Sequence, residues 1–125
     1  VLARYLMEKT KNRNVYGGGL EELQKHLEGT DILINATPVG MEPRTDRSPI
    51  PAEYLHKNLL VYDLVYNPIE TKLLRDAKQK GARVLSGVKM LVYQGALAYE
   101  MWMGQKPPVD LMLKVVQEAL GGDTT

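Results

Sequence analysis

Apolar residues recur along the chain at two spacings, one typical of helices and one typical of buried strands. Residues 1–9 and the stretch LEELQKHLEG (20–29) place leucines at helical intervals. The stretches DILINATP (31–38) and LLVYDLVYNP (59–68) carry continuous apolar runs that stop at a proline, which is typical of strands inside a parallel sheet. RVLSG (83–87) predicts a third, shorter strand.

Helical patterns separate these strands or follow them. IETKLLRDAKQKGA (69–82) is amphipathic and ends in a basic turn before a glycine. Residues 88–103 predict a nearly all-apolar helix that Gly104 closes, and PPVDLMLKVVQEALGG (107–122) predicts a final amphipathic helix before a frayed polar tail. Because strand and helix alternate from residue 20 to 104, we expect an α/β fold with a small parallel sheet and helical crossovers.

Composition limits the classes of protein and of partner that the sequence is compatible with. The chain has 125 residues, of which 44% are hydrophobic, so we expect one globular domain. Its 16 basic and 15 acidic residues leave a net charge of +1, which gives no electrostatic reason to expect nucleic acid or a membrane surface as a partner. Cysteine is absent, which excludes disulfides and thiolate nucleophiles and fits a cytoplasmic protein. His26 and His56 stand in polar contexts without ligand spacing, so we expect no metal site.

Small and polar residues follow each predicted strand at its carboxyl end. Parallel sheets bind ligands at that edge, because the loops after neighbouring strands meet there. The residues concerned are Asn35, Ala36 and Thr37, then residues 63–67, and finally Ser86 and Gly87. For each residue taken alone, an ordinary turn role is an equal alternative. Asp63 interrupts an apolar strand, so we expect its carboxylate to cap neighbouring backbone N–H groups rather than to act as an acid or base.

Gln94 places an amide in the otherwise apolar stretch MLVYQGALAYEMW (90–102). Burying an unpaired amide costs roughly 1–3 kcal/mol, so the residue needs a partner. Two interpretations stay open. In one, Gln94 is a core amide bonded to the backbone. In the other, it faces a pocket and binds hydroxyl groups, with Gly95 letting a ligand or another backbone approach closely.

Three consecutive glycines, residues 17–19, raise the question of a phosphate-binding loop. Glycine-rich turns before helices hold phosphates when a buried strand precedes them. Here no buried strand precedes Gly17, and Glu21 and Glu22 would repel an incoming phosphate. We therefore expect a flexible turn.

Three segments together resemble the shikimate dehydrogenase family: INATPVGM (34–41), VYDLVYNPIETKLLRDAKQKGA (61–82) and SGVKMLVYQGALAYEMWMG (86–104). Their order and spacing are similar to the C-terminal, NADP-binding half of that family. The resemblance implies a three-layer Rossmann-like parallel sheet, incomplete here, with residues 1–125 forming part of the cofactor domain and the N-terminal substrate domain absent. The family reduces 3-dehydroshikimate reversibly to shikimate with NADP, in aromatic amino acid biosynthesis.

The resemblance also implies roles for individual residues. Tyr66 then lies near the substrate carboxylate, and Gln94 binds substrate hydroxyls. Cofactor contacts fall on the loop after the first strand, on backbone near the nicotinamide and at the start of the long helix; the residues are Asn35, Ala36, Thr37, Leu64, Gly87, Met90 and Leu91. Such residues suit the chemistry, since hydride transfer needs a dry, fixed site and a polyhydroxylated acid needs amide and phenol partners.

Parts of the family pattern are missing. In the family a lysine and an aspartate of the N-terminal domain serve proton transfer, so we expect no catalytic residue in this chain. The glycine-rich turn after the first Rossmann strand is also missing, and the chain starts inside a helix without a methionine, so we expect a fragment. KNRN offers Arg13 as a ligand for the 2′-phosphate of NADP, although Asn14 replaces the family's threonine. Lys89 stands where many relatives have a small residue, and it faces either solvent or the cofactor.

Two other functions stay open. A quinate/shikimate dehydrogenase would use a broader set of substrates and cofactors. A non-catalytic binding module built on half a Rossmann fold would bind a ligand without turning it over. An exposed hydrophobic edge also predicts self-association, as a homodimer or between fragments, and we expect the isolated chain to show no turnover.

Overall fold

The computed structural model describes residues 1–121, which contain three strands and five α-helices. The elements in chain order are α1 (Leu2–Thr10), a 3-10 turn (Leu20–Glu22), α2 (Leu23–Leu27), β1 (Ile32–Asn35), a second 3-10 turn (Ala52–Tyr54), β2 (Leu60–Asp63), α3 (Lys72–Gln79), β3 (Arg83–Leu85), α4 (Val88–Met103) and α5 (Val109–Ala119). The polar tail expected to fray, residues 123–125, lies outside the described residues. Within residues 1–121, no helix is long and apolar enough to span a membrane.

The three strands form one parallel sheet in the order β1-β2-β3. Asn35 pairs with Asp63, so β1 and β2 end level with each other, and Tyr62 pairs with Leu85 of β3. The prediction of a small parallel α/β sheet is confirmed. Because neighbouring strands end at one edge, the loops that follow them are brought side by side.

One face of the sheet packs against helices. Val61 at the centre of β2 is fully buried and belongs to one hydrophobic cluster with Leu27 of α2 and with Leu73, Leu74 and Ala77 of α3. These α3 positions are the ones that the amphipathic pattern predicts to face inward. Each buried leucine of this kind contributes roughly 1.5–3 kcal/mol, so the cluster stabilises the sheet.

The opposite face of the sheet is open within the described residues. Ile32 and Ile34 of β1 are 56% and 55% exposed, and Leu85 of β3 is 41% exposed. The continuous apolar runs predicted burial on both faces. The described part of the chain therefore contributes the sheet and one helical layer of the predicted Rossmann-like arrangement.

Helix α4 buries only a narrow stripe. Val88, Val92 and Ala96 are buried at i, i+4 spacing, and the helix packs against α5. Apolar side chains on its other side are exposed, Leu97 to 63%. The helix ends as predicted at Gly104, whose φ of 68° is a left-handed conformation that glycine adopts readily.

Candidate functional site

A pocket lies at the carboxyl ends of β1 and β2, the edge where the sequence predicts a ligand site. It is lined by Ala36, Thr37, Pro38, Met41, Leu64, Val65, Tyr66 and Asn67. Four of the predicted site residues, Ala36, Thr37, Leu64 and Tyr66, therefore meet in one cavity. Its volume of about 260 Å³ is just below the usual range of ligand pockets, about 300–1,000 Å³. The cavity thus suits one ring or a small acid rather than a whole dinucleotide.

The two walls of the pocket are joined through the backbone. The loop after β1 forms one wall and the loop after β2 forms the other. The Leu64 N–H donates to the Asn35 carbonyl at 3.0 Å, and the Glu42 N–H donates to the Asn67 carbonyl at 3.1 Å. These two bonds connect the loop after β1 to the loop after β2.

A buried hydrogen-bond network lies beneath the pocket, centred on Asp63. This fully buried carboxylate accepts from the Asn35 side-chain amide and the Val65 N–H, both at 3.0 Å, and from the Thr71 hydroxyl at 2.6 Å. The Val65 bond confirms the capping role predicted for Asp63. Three donors compensate the buried charge, and among the described residues no buried side-chain nitrogen or oxygen lacks a partner.

Asn35 extends this network to the pocket wall. Its side-chain oxygen accepts from the Thr37 N–H at 3.0 Å and from the Thr37 hydroxyl at 2.7 Å, while its side-chain nitrogen also donates to the Val39 carbonyl at 3.3 Å. Asn35 is only 5% exposed and does not line the cavity. The structure thus places Asn35 behind Thr37, as a support for a residue that does line it.

At Gly87, the turn between β3 and α4 packs closely against the backbone of the second pocket wall. A Cβ added at this position would overlap the Leu64 carbonyl and would lie 2.8 Å from the Val65 oxygen. The Gly87 N–H donates to that same Val65 oxygen at 3.3 Å. Packing of backbone on backbone alone therefore requires glycine here.

Other predicted site residues lie outside the lining of the cavity. Met90 and Leu91, in the first turn of α4, are half-buried, and Lys89 beside them is exposed. Arg13 is exposed in the segment between α1 and the first 3-10 turn, and the structure does not bring it to the pocket.

The triple glycine has carboxylates against it. The Glu22 carboxylate lies against Gly18, and the Glu21 carboxylate lies against Gly19. Two acidic groups beside these glycines oppose an anion at this turn.

Gln94 is exposed on α4, and its side-chain nitrogen donates to the Leu91 carbonyl of the same helix at 2.9 Å. The interpretation as a core amide is wrong, because α4 buries the stripe of Val88, Val92 and Ala96 and leaves Gln94 off that stripe. At Gly95 an added Cβ would come no closer than 3.9 Å to the Met112 methyl carbon, so packing does not require glycine there.

Two contributors to the site, Met41 and Thr71, are not among the predicted site residues but carry a signal in the sequence. Met41 lines the pocket and belongs to the motif INATPVGM, three residues after Pro38. Thr71 is fully buried and caps α3 by accepting from the Leu74 N–H at 3.3 Å. A threonine three residues before an apolar helical position is a recognisable helix start.

Comparison with known proteins shows what this chain is similar to. Residues 87–117 match the family model described as the Shikimate 5'-dehydrogenase C-terminal domain. A shikimate dehydrogenase (NADP(+)) from Methanosarcina barkeri is 51% identical to the chain over 119 residues. The chain is therefore similar to part of a shikimate dehydrogenase. The match covers 95% of this chain but 42% of that relative, so the chain spans about two fifths of its length.

Two solved dehydrogenase structures share the fold. A shikimate dehydrogenase crystallised in complex with NADP+ superposes with a TM-score of 0.88 at 40% identity, over 95% of this chain and 42% of that one. Quinate dehydrogenase from Corynebacterium glutamicum, crystallised in complex with NAD, superposes with a TM-score of 0.83 at 29% identity, over 94% of this chain and 41% of that one. Both matches support the Rossmann-like α/β fold that the sequence predicts.

Proposed function

We propose that the chain is the cofactor-domain part of an NADP-dependent shikimate dehydrogenase, which reduces 3-dehydroshikimate reversibly to shikimate. The observation that carries the proposal is the pocket formed where the loops after β1 and β2 meet. Ala36, Thr37, Leu64 and Tyr66, which the family resemblance assigns to cofactor or substrate, are four of its lining residues. A relative that bears this enzyme name is 51% identical to the chain.

The pocket fits the nicotinamide end of NADP. Its lining is mostly apolar, with the Thr37 hydroxyl among the few polar groups, and a flat heteroaromatic ring needs an apolar slot with a few fixed polar partners. The bound cofactor supplies the hydride. In this proposal Ala36, Thr37 and Leu64 orient it, Asn35 and Gly87 hold those residues in place, and Met90 and Leu91 pack beside it.

Tyr66 and Gln94 supply the polar contacts to the substrate. Tyr66 lines the pocket and is 39% exposed, so its phenol is accessible to a ligand at the mouth. Gln94 presents an exposed amide on α4. The groups that transfer the proton come, in this proposal, from the part of the relatives that the chain does not span. Arg13 remains the proposed ligand of the 2′-phosphate, supported by its charge and exposure alone.

The intact gene product, incubated with shikimate and NADP+, tests the proposal. We expect NADPH to form in proportion to shikimate consumed, and 3-dehydroshikimate to be the product by mass spectrometry. A folded protein that oxidises no shikimate with either NADP+ or NAD+ would contradict the proposed function. Binding of NADPH without any turnover would instead support the non-catalytic binding module.

The similarity to quinate dehydrogenase supports a second candidate, a quinate/shikimate dehydrogenase. That neighbour superposes with a TM-score of 0.83 and was crystallised with NAD. Values of kcat/KM for quinate and for shikimate, each measured with NAD+ and NADP+, separate the two candidates. A kcat/KM for shikimate with NADP+ that is at least about a hundredfold above the kcat/KM for quinate favours the first candidate. A hundredfold difference corresponds to about 2.7 kcal/mol in transition-state binding.

A cytoplasmic location is a further part of the proposal and rests on the proposed role in amino acid biosynthesis. Fractionation of the source cells, followed by immunodetection of the intact gene product, tests it. Recovery in the soluble cell contents is expected, and recovery outside the cell would contradict it.

A further inference from the structure

We propose that Asp63 is a positioning residue that sets the shape of the nicotinamide pocket through hydrogen bonds on three segments. Its two carboxylate oxygens accept from Asn35 at the end of β1, from the Val65 N–H after β2 and from Thr71 at the start of α3. Asp63 itself is fully buried and does not line the cavity. Its influence on a ligand therefore passes through the residues that it holds.

The bonds of Asp63 lead to both pocket walls. Through Asn35, the network reaches the N–H and hydroxyl of Thr37 on the first wall. Through the Val65 N–H, it bends the chain directly after β2, where Leu64, Val65 and Tyr66 form the second wall. One carboxylate thus fixes the separation of the two walls and the orientation of Thr37.

A carboxylate suits this position better than any neutral side chain of the same size. All three partners point donors at Asp63, and an ionised carboxylate only accepts. An asparagine at this position would turn an NH2 group toward one of those donors. The Thr71 hydroxyl could adapt by rotating, but it would then no longer donate to residue 63.

This inference rests on the proposed function and adds to it, because it explains what holds the cofactor site in shape before the cofactor arrives. A site whose residues are held by buried hydrogen bonds loses less freedom on binding a ligand. A looser pocket should therefore bind NADPH more weakly even when the protein stays folded.

Calorimetric titration of NADPH into the intact gene product and its Asp63→Asn variant tests the inference. We expect the dissociation constant for NADPH to rise about tenfold, the effect of losing one charge-assisted hydrogen bond. Val61→Ala is the matched control, since Val61 is fully buried two residues earlier on β2 and makes no side-chain hydrogen bond. This variant should lower the melting temperature while leaving the dissociation constant within about twofold of the original.

Thr71→Val and Thr71→Ser provide a second pair in case Asp63→Asn does not fold. Serine keeps the hydroxyl that bonds to Asp63, whereas valine removes it at nearly the same volume. We expect weaker NADPH binding in the valine variant and recovery in the serine variant. Unchanged binding in Asp63→Asn, or in Thr71→Val where Asp63→Asn does not fold, would overturn the positioning role. Equal weakening by Val61→Ala would overturn it as well. Failure of the unaltered protein to bind NADPH would refute the proposed function itself and the inference with it.

Discussion

Gln94 carries its amide on the exposed side of α4, where its only described hydrogen bond stays within the helix. Removing an exposed side chain of this kind changes the free energy of unfolding by no more than about 0.5 kcal/mol. We therefore expect Gln94→Ala in the intact gene product to leave stability unchanged. The KM for shikimate should rise about tenfold, because one hydrogen bond to the substrate is lost, while the dissociation constant for NADPH stays the same.

Gln105→Ala is the control for this prediction, since Gln105 is also an exposed glutamine but lies beyond the end of α4. It should change neither constant. Equal weakening of shikimate and NADPH binding by Gln94→Ala would show that Gln94 organises the helix rather than contacting the substrate.

For single residues, the sequence predicts an interaction when its partners lie close together along the chain. The capping role of Asp63 was predictable because its partner Val65 is two residues away and a lone carboxylate in an apolar strand needs nearby donors. The bond from Thr71 crosses a loop of irregular structure, which no periodicity describes. The exposure of Gln94 was not predictable because its neighbours are apolar and the sequence does not say which of them are covered.

Among the elements, the turn into α4 is constrained by close backbone contacts at Gly87. A glycine-to-alanine substitution can be compared at two positions in this region, Gly87 and Gly95, for its effect on the free energy of unfolding. Gly87→Ala would push a methyl group into the Leu64 carbonyl, and overpacking of this kind costs about 1–3 kcal/mol. Gly95→Ala meets nothing closer than 3.9 Å inside a helix, where alanine is favoured over glycine by roughly 0.5–1 kcal/mol.

Urea unfolding of the intact gene product measures both changes. We expect Gly87→Ala to lower the free energy of unfolding and Gly95→Ala to raise it or leave it unchanged. If the two substitutions destabilised the protein equally, close backbone packing at Gly87 would not be the cause.

The boundaries of the elements show where periodicity is a sufficient guide. Helix α4 matches the predicted range because an apolar pattern and a terminal glycine agree on it. Strand β2 ends at Asp63, although the apolar run continues to Val65. Beyond Asp63 the next residues line the pocket, and the Asp63 side chain accepts from the Val65 N–H, an arrangement that hydrophobicity alone does not reveal.

For the whole molecule, the proposed function implies a site that the described residues form only in part. The pocket walls and their supports lie within the described residues, whereas we expect the proton-transfer groups in the part of the relatives that the chain does not span. A polypeptide of residues 1–125 alone should therefore show no shikimate oxidation above background, in an assay in which the intact gene product is active. Measurable turnover by residues 1–125 would mean that the chain carries its own acid–base group.

A second prediction for a polypeptide of residues 1–125 follows from the open face of the sheet. Ile32 and Ile34 expose more than half of their surface on a strand that also forms one edge of the sheet. Apolar surface and unpaired strand groups together favour association with a second copy. We expect the sedimentation coefficient to rise with concentration. The double substitution Ile32→Thr and Ile34→Thr should reduce this rise, because threonine keeps a high strand propensity while removing apolar surface.

Tyr16→Thr is the control, since it removes a comparably exposed side chain from a loop and should leave the rise unchanged. A concentration-independent monomer before any substitution would show that the open face does not drive association.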